Sequence, residues 1–127
     1  RGLGDVYKRQ NHIIPVATHY QSQIAENVSH MFNIFDRTEA EQLTCRNKKI
    51  IREIAERTQR IETGVEELIN ARKIANKITS ERDKAIVYHD TVAPKMEEIR
   101  YQIDKLELIV SDELWTLPKY RELLFIR

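Results

Sequence analysis

The sequence contains little glycine, proline or cysteine and few aromatic residues. Its 127 residues include three glycines, three prolines, one cysteine and 7% aromatic side chains. Few glycines and prolines leave little material for the turns that connect the strands of a sheet, so the composition favours long helices. A single cysteine excludes an intrachain disulfide and any metal site built from several thiolates. It also predicts a reducing, cytoplasmic compartment.

Long apolar runs and an excess of one charge are also missing. No stretch approaches the roughly 20 apolar residues that a membrane-spanning helix needs. The 21 basic and 20 acidic residues give a net charge of +1, and both signs are interleaved along the chain. Nucleic-acid-binding proteins usually concentrate basic residues on one face. The sequence therefore predicts neither a nucleic-acid partner nor a membrane partner.

An apolar ladder predicts a long central helix at about residues 39–79. Its members recur at steps of three, four or seven and so share one side of a helix; they are Leu43, Ile50, Ile54, Ile61, Val65, Leu68, Ala75 and Ile78. Thr38 and Glu41 fit a capping box at its start. Gly64 lies inside it and indicates either a close approach of another helix or a slight bend.

A second ladder predicts a first helix at about residues 12–35. The apolar residues are again spaced by three or four: Ile13, Ala17, Tyr20, Ile24, Val28, Met31 and Phe35. We expect Asn11 to cap this helix and Pro15 to lie in its first turn, where the missing N–H costs little.

The third helix is predicted at about residues 81–111, after a capping arrangement of Ser80 with Asp83. A ladder that begins at His89 continues through apolar residues at alternating steps of three and four, which is the pattern of a heptad seam: Val92, Met96, Ile99, Ile103, Leu106 and Val110. Pro94 should kink this helix or end a first short helix at Ala93. Because the turn before it is short, the second and third helices should form an antiparallel hairpin.

The C-terminal residues change character again. An apolar, extended segment precedes Pro118, which can open a short helix at about residues 118–125. So dense an apolar segment must dock on the bundle or on another part of a parent protein; the predicted docking residues are Trp115, Leu117, Tyr120, Leu124 and Phe125. The predicted fold is all-α: a long antiparallel helical hairpin or bundle of three main helices with one short C-terminal helix.

The first ten residues, RGLGDVYKRQ, differ from the rest of the chain. Two of the three glycines lie here and no helical period is visible. The string resembles translated sequencing-adapter tails, so residues 1–10 are predicted to be a non-native or disordered tail; a flexible native linker is the alternative. The helical domain is then predicted to span residues 11–127.

No catalytic, cofactor-binding or metal-binding constellation is evident in the sequence. His12 and His19 are seven residues apart and can share a helix face, but no third ligand is suitably spaced. Cys45 has no nearby histidine and lies in a predicted helix, which favours an inert thiol. Composition and spacing alone thus predict a helical interaction domain.

Three stretches resemble type III glutamine synthetase, the large bacterial form of that enzyme. DELWTLPKYRELLFIR, residues 112–127, resembles the family's C-terminus, and VAPKM, residues 92–96, with the stretch from Arg100 to Glu107, resembles its last long helix. IIPVATHYQSQIAENV, residues 13–28, is similar to the segment that follows the catalytic domain. Thr116 departs from the pattern, in which proline often stands between the Trp and the Leu.

This resemblance implies an ATP-dependent ligase that joins glutamate and ammonia, with ATP and Mg²⁺ or Mn²⁺ bound by the parent enzyme. The family's catalytic and metal-binding residues would lie upstream of Asn11, so this chain is expected to be inactive alone and to hold no cofactor. The implied partners are the catalytic domain of the same chain and the neighbouring subunits of a homo-oligomeric ring. A free-standing coiled-coil adaptor is the alternative.

Overall fold

The computed structural model is all-α, as the sequence predicts. It describes the backbone of residues 2–126 and the side chains of residues 2–111. The elements in chain order are α1 (Gly2–Ile34), α2 (Arg37–Leu43), α3 (Cys45–Asn76), α4 (Glu81–Val87), a π-helical turn (Tyr88–Val92) and α5 (Ala93–Ile126). With 32 residues, α3 extends about 48 Å and forms the central rod.

Helices α1 and α3 run antiparallel. The side-chain amide of Gln21 donates to the backbone carbonyl of Ile51 at 3.0 Å. Further along, the Lys48 ammonium lies 4.8 Å from the ring centroid of Phe32. The residue numbers rise along α1 as they fall along α3, which fixes the opposite directions.

Helices α3 and α5 form the predicted antiparallel hairpin. Gly64 of α3 faces Ile99 of α5, and the Lys95 ammonium lies 3.4 Å from the carboxylate of Glu67. Helix α1 therefore runs parallel to α5, with both packed against the central helix.

One apolar core joins the three long helices. All but Val6 and Ala71 belong to the predicted ladders. The core residues are Val6, Ile13, Ala17, Ile54, Ile61, Leu68, Ala71, Val92, Ile99, Ile103, Leu106 and Val110. Burying each of the larger aliphatic side chains contributes about 1.5–3 kcal/mol. Because all three helices share this core, none of them buries its apolar face without the others.

The first helix starts earlier than the sequence predicts. Residues 2–10 lie in α1 rather than in a disordered tail, and Val6 is fully buried. Asn11 is therefore not a cap, and Pro15 lies inside the helix rather than in its first turn. The apolar ladder continues backwards from Ile13 to Val6, a step of seven, which supplies the burial that supports the added turns. The predicted non-native origin of residues 1–10 stays a prediction.

The predicted helix at about 39–79 is divided at Thr44. This residue is fully buried, and its hydroxyl donates to the carbonyl of Ala40 at 2.7 Å. A threonine hydroxyl that bonds back to the preceding turn often bends a helix. Helix α3 then ends at Asn76, because Lys77 bonds to the carbonyl of Ile74 and tightens the last turn.

The helix caps are partly as predicted. Ser80 caps α4, since its hydroxyl accepts from the backbone N–H of Asp83 at 3.3 Å, which confirms that arrangement. The cap of α2 is Asp36 rather than Thr38: the Asp36 carboxylate accepts from the N–H of Glu39 at 2.8 Å. Aspartate is at least as good a cap as threonine, and it lies two residues earlier.

The expected disturbance at Pro94 takes the form of a π-helical turn. Pro94 has no N–H, so the carbonyl of Asp90 has no helical donor from that residue. The N–H of Ala93 bonds instead to the carbonyl of Tyr88, five residues back. The helical backbone therefore continues without a gap from α4 through this turn into α5, so no short helix ends at Ala93.

The C-terminal boundary also differs from the prediction. Helix α5 runs to Ile126, so it includes the segment predicted as extended and the predicted short helix at about 118–125. The sequence from Ser111 to Leu117 contains no glycine. It therefore lacks the residue that most often ends a helix in the left-handed conformation.

Candidate docking surfaces

Helix α5 has an inner face and an outer face. We call its inner series of positions the seam: Met96, Ile99, Ile103, Leu106 and Val110. Ile103 and Leu106 are fully buried, and Ile99 and Val110 are 1% and 4% exposed. The regular alternation of three and four residues keeps these side chains on the core side, as the sequence predicts.

The outer face of α5 carries two large apolar side chains that the ladders do not include. Tyr101 is 50% exposed and Leu108 is 58% exposed, and they are seven residues apart. The Lys105 ammonium lies 5.4 Å from the centroid of the Tyr101 ring and adds a cation–π contact. We call Tyr101 and Leu108 the outer stripe. The seven-residue spacing is visible in the sequence, but the inner seam is the longer and more regular pattern of this helix.

A groove between α1 and α3 begins where the described part of the seam ends. It has a volume of about 490 Å³. Tyr20, Ile24 and Ile50 supply apolar walls, and Val110 of α5 lies at one end. Arg46 and His19 are among its polar lining residues. We call this space the α1–α3 groove.

A second groove lies near the turn of the hairpin. Its volume is about 480 Å³. Ala71, Ile74 and Val87 contribute apolar surface, and Lys95 and Glu67 lie on its walls. Ile74 is 63% exposed, so this end of the hairpin also presents apolar surface to solvent.

A polar network crosses the interface of α3 and α5. Gln102 is 1% exposed, and its side-chain oxygen accepts from the Arg57 guanidinium at 2.8 Å. Its amide nitrogen donates to Glu98 at 2.7 Å, and Arg57 also donates to Glu53 at 2.9 Å. The network satisfies a buried amide that would otherwise cost about 1–3 kcal/mol.

Arg9 joins α1 to α5 by ion pairs. Its guanidinium donates to Asp104 and, at 2.8 Å, to Glu107. The hydrogen bond to Asp104 raises the pKa of Arg9 above its ordinary value, against the opposing effect of partial burial. The Arg9 guanidinium is charged at physiological pH with or without these partners, so its charge does not depend on the ion pairs there.

The residues considered for catalysis or metal binding do not converge. Within the described side chains, no group of three or more His, Cys, Asp or Glu residues could hold a metal ion. His12 and His19 line different cavities, and the His89 side chain is 88% exposed. Cys45 is exposed. Among the described residues, no helix is long and apolar enough to span a membrane.

The docking residues predicted from the sequence lie outside the described side chains. They are Trp115, Leu117, Tyr120, Leu124 and Phe125, all beyond residue 111.

Two known proteins resemble this chain. A glutamine synthetase of Bacteroides fragilis is 43% identical over all 127 residues. The type-3 glutamine synthetase of Dictyostelium discoideum is 28% identical over 115 residues, or 91% of the chain. The predicted resemblance to type III glutamine synthetase is confirmed. No protein-family model matches the chain.

The chain spans only about a sixth of the length of these relatives. The aligned part is 17% of the Bacteroides fragilis protein and 16% of the Dictyostelium discoideum protein. This proportion agrees with a C-terminal fragment of such an enzyme.

Proposed function

We propose that this chain is the C-terminal structural and assembly domain of a type III glutamine synthetase. The observation that carries the proposal is the 43% identity over the whole chain to a protein about six times as long. The all-α rod supports it, because its described residues form a packed core and exposed apolar surfaces rather than a cluster of catalytic groups.

The parent enzyme would make glutamine from glutamate, ammonia and ATP in the cytoplasm. Glutamate would first be phosphorylated on its side-chain carboxylate, after which ammonia would displace phosphate. ATP and Mg²⁺ or Mn²⁺ would be held upstream of this domain, and the domain alone would be inactive. Its partners would be the catalytic domain of the same chain and neighbouring subunits of a homo-oligomeric ring.

The docking role belongs to the C-terminal part of α5. Its sequence places a tryptophan, a phenylalanine and three further apolar residues within eleven positions: Trp115, Leu117, Tyr120, Leu124 and Phe125. Tryptophan and tyrosine are enriched among the side chains that contribute most to protein–protein binding. Leu108 and Tyr101 add exposed apolar surface on the described part of the same helix.

Replacing Trp115 with alanine in the whole enzyme tests the docking role. A suitable protein is a Bacteroides fragilis glutamine synthetase in which this chain replaces the aligned segment. Loss of a central interface tryptophan costs about 2 kcal/mol or more, which corresponds to roughly 30-fold weaker association. We expect the assembled form to dissociate at higher protein concentration, as measured by light scattering during dilution.

The matched control is Ile86→Ala, which truncates another apolar side chain, one that is 49% exposed and lies in α4, before the start of α5 rather than near its end. It should leave assembly unchanged. An unchanged mass and dilution profile for Trp115→Ala would contradict the docking role. The parent assignment has its own test in the upstream coding sequence of the source DNA. A start codon close before Asn11 would overturn it, whereas a continuous glutamate- and ATP-binding domain would support it.

A free-standing coiled-coil adaptor is the second candidate. The observation in its favour is the outer stripe, since Tyr101 and Leu108 repeat at the seven-residue spacing of a helix-pairing surface. An adaptor that dimerises through α5 would melt at a temperature that rises with protein concentration. A concentration-independent melting temperature would count against it.

A further inference from the structure

We propose that the hydrogen bond between Arg57 and Gln102 selects the register of the α3–α5 hairpin, that is, which turn of α5 lies beside which turn of α3. The apolar core would pack nearly as well with α5 moved by seven residues, whereas this polar pair forms in one alignment only. The register also fixes where the outer stripe lies along the bundle. The proposal concerns this domain by itself and does not depend on the proposed parent enzyme.

The first argument is that the apolar core repeats every seven residues on both arms of the hairpin. The core residues of α3 with this spacing are Ile54, Ile61, Leu68 and Ala75. The corresponding residues of the π-helical turn and α5 form two series, Val92, Ile99 and Leu106 in one and Met96, Ile103 and Val110 in the other. Moving α5 along α3 by seven residues, or about 10 Å, therefore puts an apolar side chain in nearly every place that another one leaves.

The polar contact across the interface does not repeat in this way. The residues seven before and seven after Gln102 are Lys95 and Ile109. Neither side chain has an acceptor for the Arg57 guanidinium, because an ammonium group only donates and a hydrocarbon does neither. One shifted register would therefore place two cations together, and the other would place the guanidinium against an apolar side chain.

Burial makes the loss of this contact unfavourable in both shifted registers. Gln102 is 1% exposed, and the Arg57 side chain is 20% exposed. After a shift, Gln102 would lie beside Ile50 or Gly64, whose side chains offer no donor to its oxygen. Glu98 lies on α5 itself, so its bond to Gln102 moves with the helix. Only the bond to Arg57 distinguishes the registers, since a buried acceptor without a partner is costly.

The close approach at Gly64 does not select the register by itself. The shift that brings residue 109 opposite Arg57 also brings Leu106 opposite Gly64 and Ile99 opposite Ala71. Both of these α3 residues are small, so the shifted aliphatic side chains meet no large side chain there. Substitution of Gly64 should therefore change stability without changing the register.

The register has a consequence for the exposed surface. A shift of seven residues would carry Tyr101 and Leu108 about 10 Å along α3. A buried polar residue in a helix pair is known to fix register at some expense of stability. The Arg57–Gln102 pair thus keeps the outer stripe at one place on the bundle, which a docking surface requires.

The register is measured by the distance between two spin labels in the 127-residue chain. Cys45→Ser removes the native thiol, and Glu66→Cys on α3 and Leu108→Cys on α5 carry nitroxide labels. Both labelled positions are exposed and lie outside the polar network. Dilution with unlabelled chain removes the distances between two copies, so the remaining signal comes from within one chain.

The native register predicts one separation of the labels along the helix axis. Gly64 meets Ile99, and Glu67 lies beside Lys95, so residue 66 is level with about residue 97. The label at position 108 then lies about 17 Å further along the axis. A shift by seven residues adds or removes about 10 Å of this separation.

Replacing both members of the pair with leucine should remove the selection. Arg57→Leu/Gln102→Leu should keep the melting temperature within about 5 °C of the unchanged chain, because apolar replacement of both partners of a buried polar pair is often neutral. It should nevertheless give at least two label distances. The control is Gly64→Ala, which should lower the melting temperature by roughly 4 °C and give one unchanged distance.

Moving the amide by seven residues should move the register. Gln102→Leu/Ile109→Gln leaves the number of amides and apolar residues unchanged, but Arg57 reaches the relocated amide only in the shifted alignment. The labels should again give one distance, with the axial separation reduced from about 17 Å to about 6 Å. Addition of Arg57→Leu to this variant should abolish the preference and give more than one distance.

Four results would overturn the proposal. One native distance in Arg57→Leu/Gln102→Leu would mean that the apolar core sets the register alone. An unchanged distance in Gln102→Leu/Ile109→Gln would mean that the position of the amide does not decide the alignment. Loss of folding in either variant would make the pair a contributor to stability rather than a selector of register. A second distance in Gly64→Ala would assign the selection to the close approach of the helices.

Discussion

At the residue scale, Gly64 shows how closely α3 and α5 approach each other. A Cβ atom placed on Gly64 would lie 2.9 Å from Cγ1 of Ile99, a side chain that is 1% exposed. Of the two roles that the sequence allowed for this glycine, the structure supports the close helix approach. The atom that would be met is not the free end of a flexible chain, so the helices themselves would have to move.

Gly64→Ala should therefore destabilise the protein despite the better helix propensity of alanine. The propensity gain is about 1 kcal/mol, whereas overpacking a well-filled core typically costs about 1–3 kcal/mol. We expect a net loss of roughly 1 kcal/mol in the free energy of unfolding, measured by urea titration.

Gly4→Ala is the matched control, because a Cβ atom there would meet nothing within 4 Å. It should be neutral or stabilising. In an Ile99→Ala background the Gly64 substitution should also lose its cost, since the obstructing Cγ1 is gone. If Gly64→Ala stabilises the protein as much as Gly4→Ala does, the close approach is not energetically significant.

The burial of a single residue is predictable where that residue belongs to a repeated apolar pattern. Ile54, Ile61 and Leu68 belong to a repeated apolar ladder, and the structure buries them. Gln102 has no such signal, because its burial depends on Arg57 and Glu98 being placed to satisfy its amide. A polar residue beside a seam is expected at the surface unless its hydrogen-bond partners are known. Here one partner, Arg57, lies on α3 and the other, Glu98, lies one turn earlier on α5.

At the element scale, the start of α2 distinguishes the observed cap, Asp36, from the predicted cap, Thr38. The Asp36 carboxylate accepts from the N–H of Glu39, whereas Thr38 lies inside the helix. Asp36→Ala should lower the free energy of unfolding by about 1 kcal/mol, because an orphan N–H loses its partner. Thermal or urea unfolding measures the difference.

Thr38→Ala provides the contrast, since an exposed helical position away from special features usually changes stability by no more than about 0.5 kcal/mol. Asp36→Ser should restore most of the stability lost in Asp36→Ala, because serine also caps well. The reverse order, with Thr38→Ala the more damaging change, would support the capping box that the sequence indicates.

Helix identity was predictable, but interruptions within helices were less so. The ladders located the three long helices because apolar spacing directly reflects which face is buried. The interruption at Thr44 coincides with a hydroxyl that bonds back to Ala40, and the π-helical turn depends on how the chain accommodates Pro94. Both features depend on which carbonyl a local donor bonds to, and the spacing of apolar residues carries no information about that.

At the scale of the whole molecule, one core ties the helices into a single unit. All-α architecture followed from composition and spacing, and the relation to type III glutamine synthetase followed from the residues near both ends of the helical domain. The α1–α3 groove required the structure, because it depends on which helices lie next to each other.

Residues 1–10 offer the last test, since sequence and structure give them different roles. As a non-native tail they would contribute nothing, but α1 includes residues 2–10, buries Val6 and pairs Arg9 with α5. Burying a valine contributes about 1.5–3 kcal/mol, while a partly exposed ion pair contributes about 0–1 kcal/mol. Truncation also returns Pro15 to the first turn, where it costs little, so part of the loss is offset.

We therefore expect residues 11–127 to be less stable than the full chain by roughly 1–2 kcal/mol, which lowers the melting temperature by about 5 °C. Val6→Asp in the full chain should produce a loss of at least this size, because it buries an unpaired charge. Lys8→Ala is the control, as Lys8 is exposed on the same turn of α1. A truncated chain as stable as the full one would mean that the helical domain is complete from Asn11 onward, and that the ion pairs of Arg9 add nothing to it.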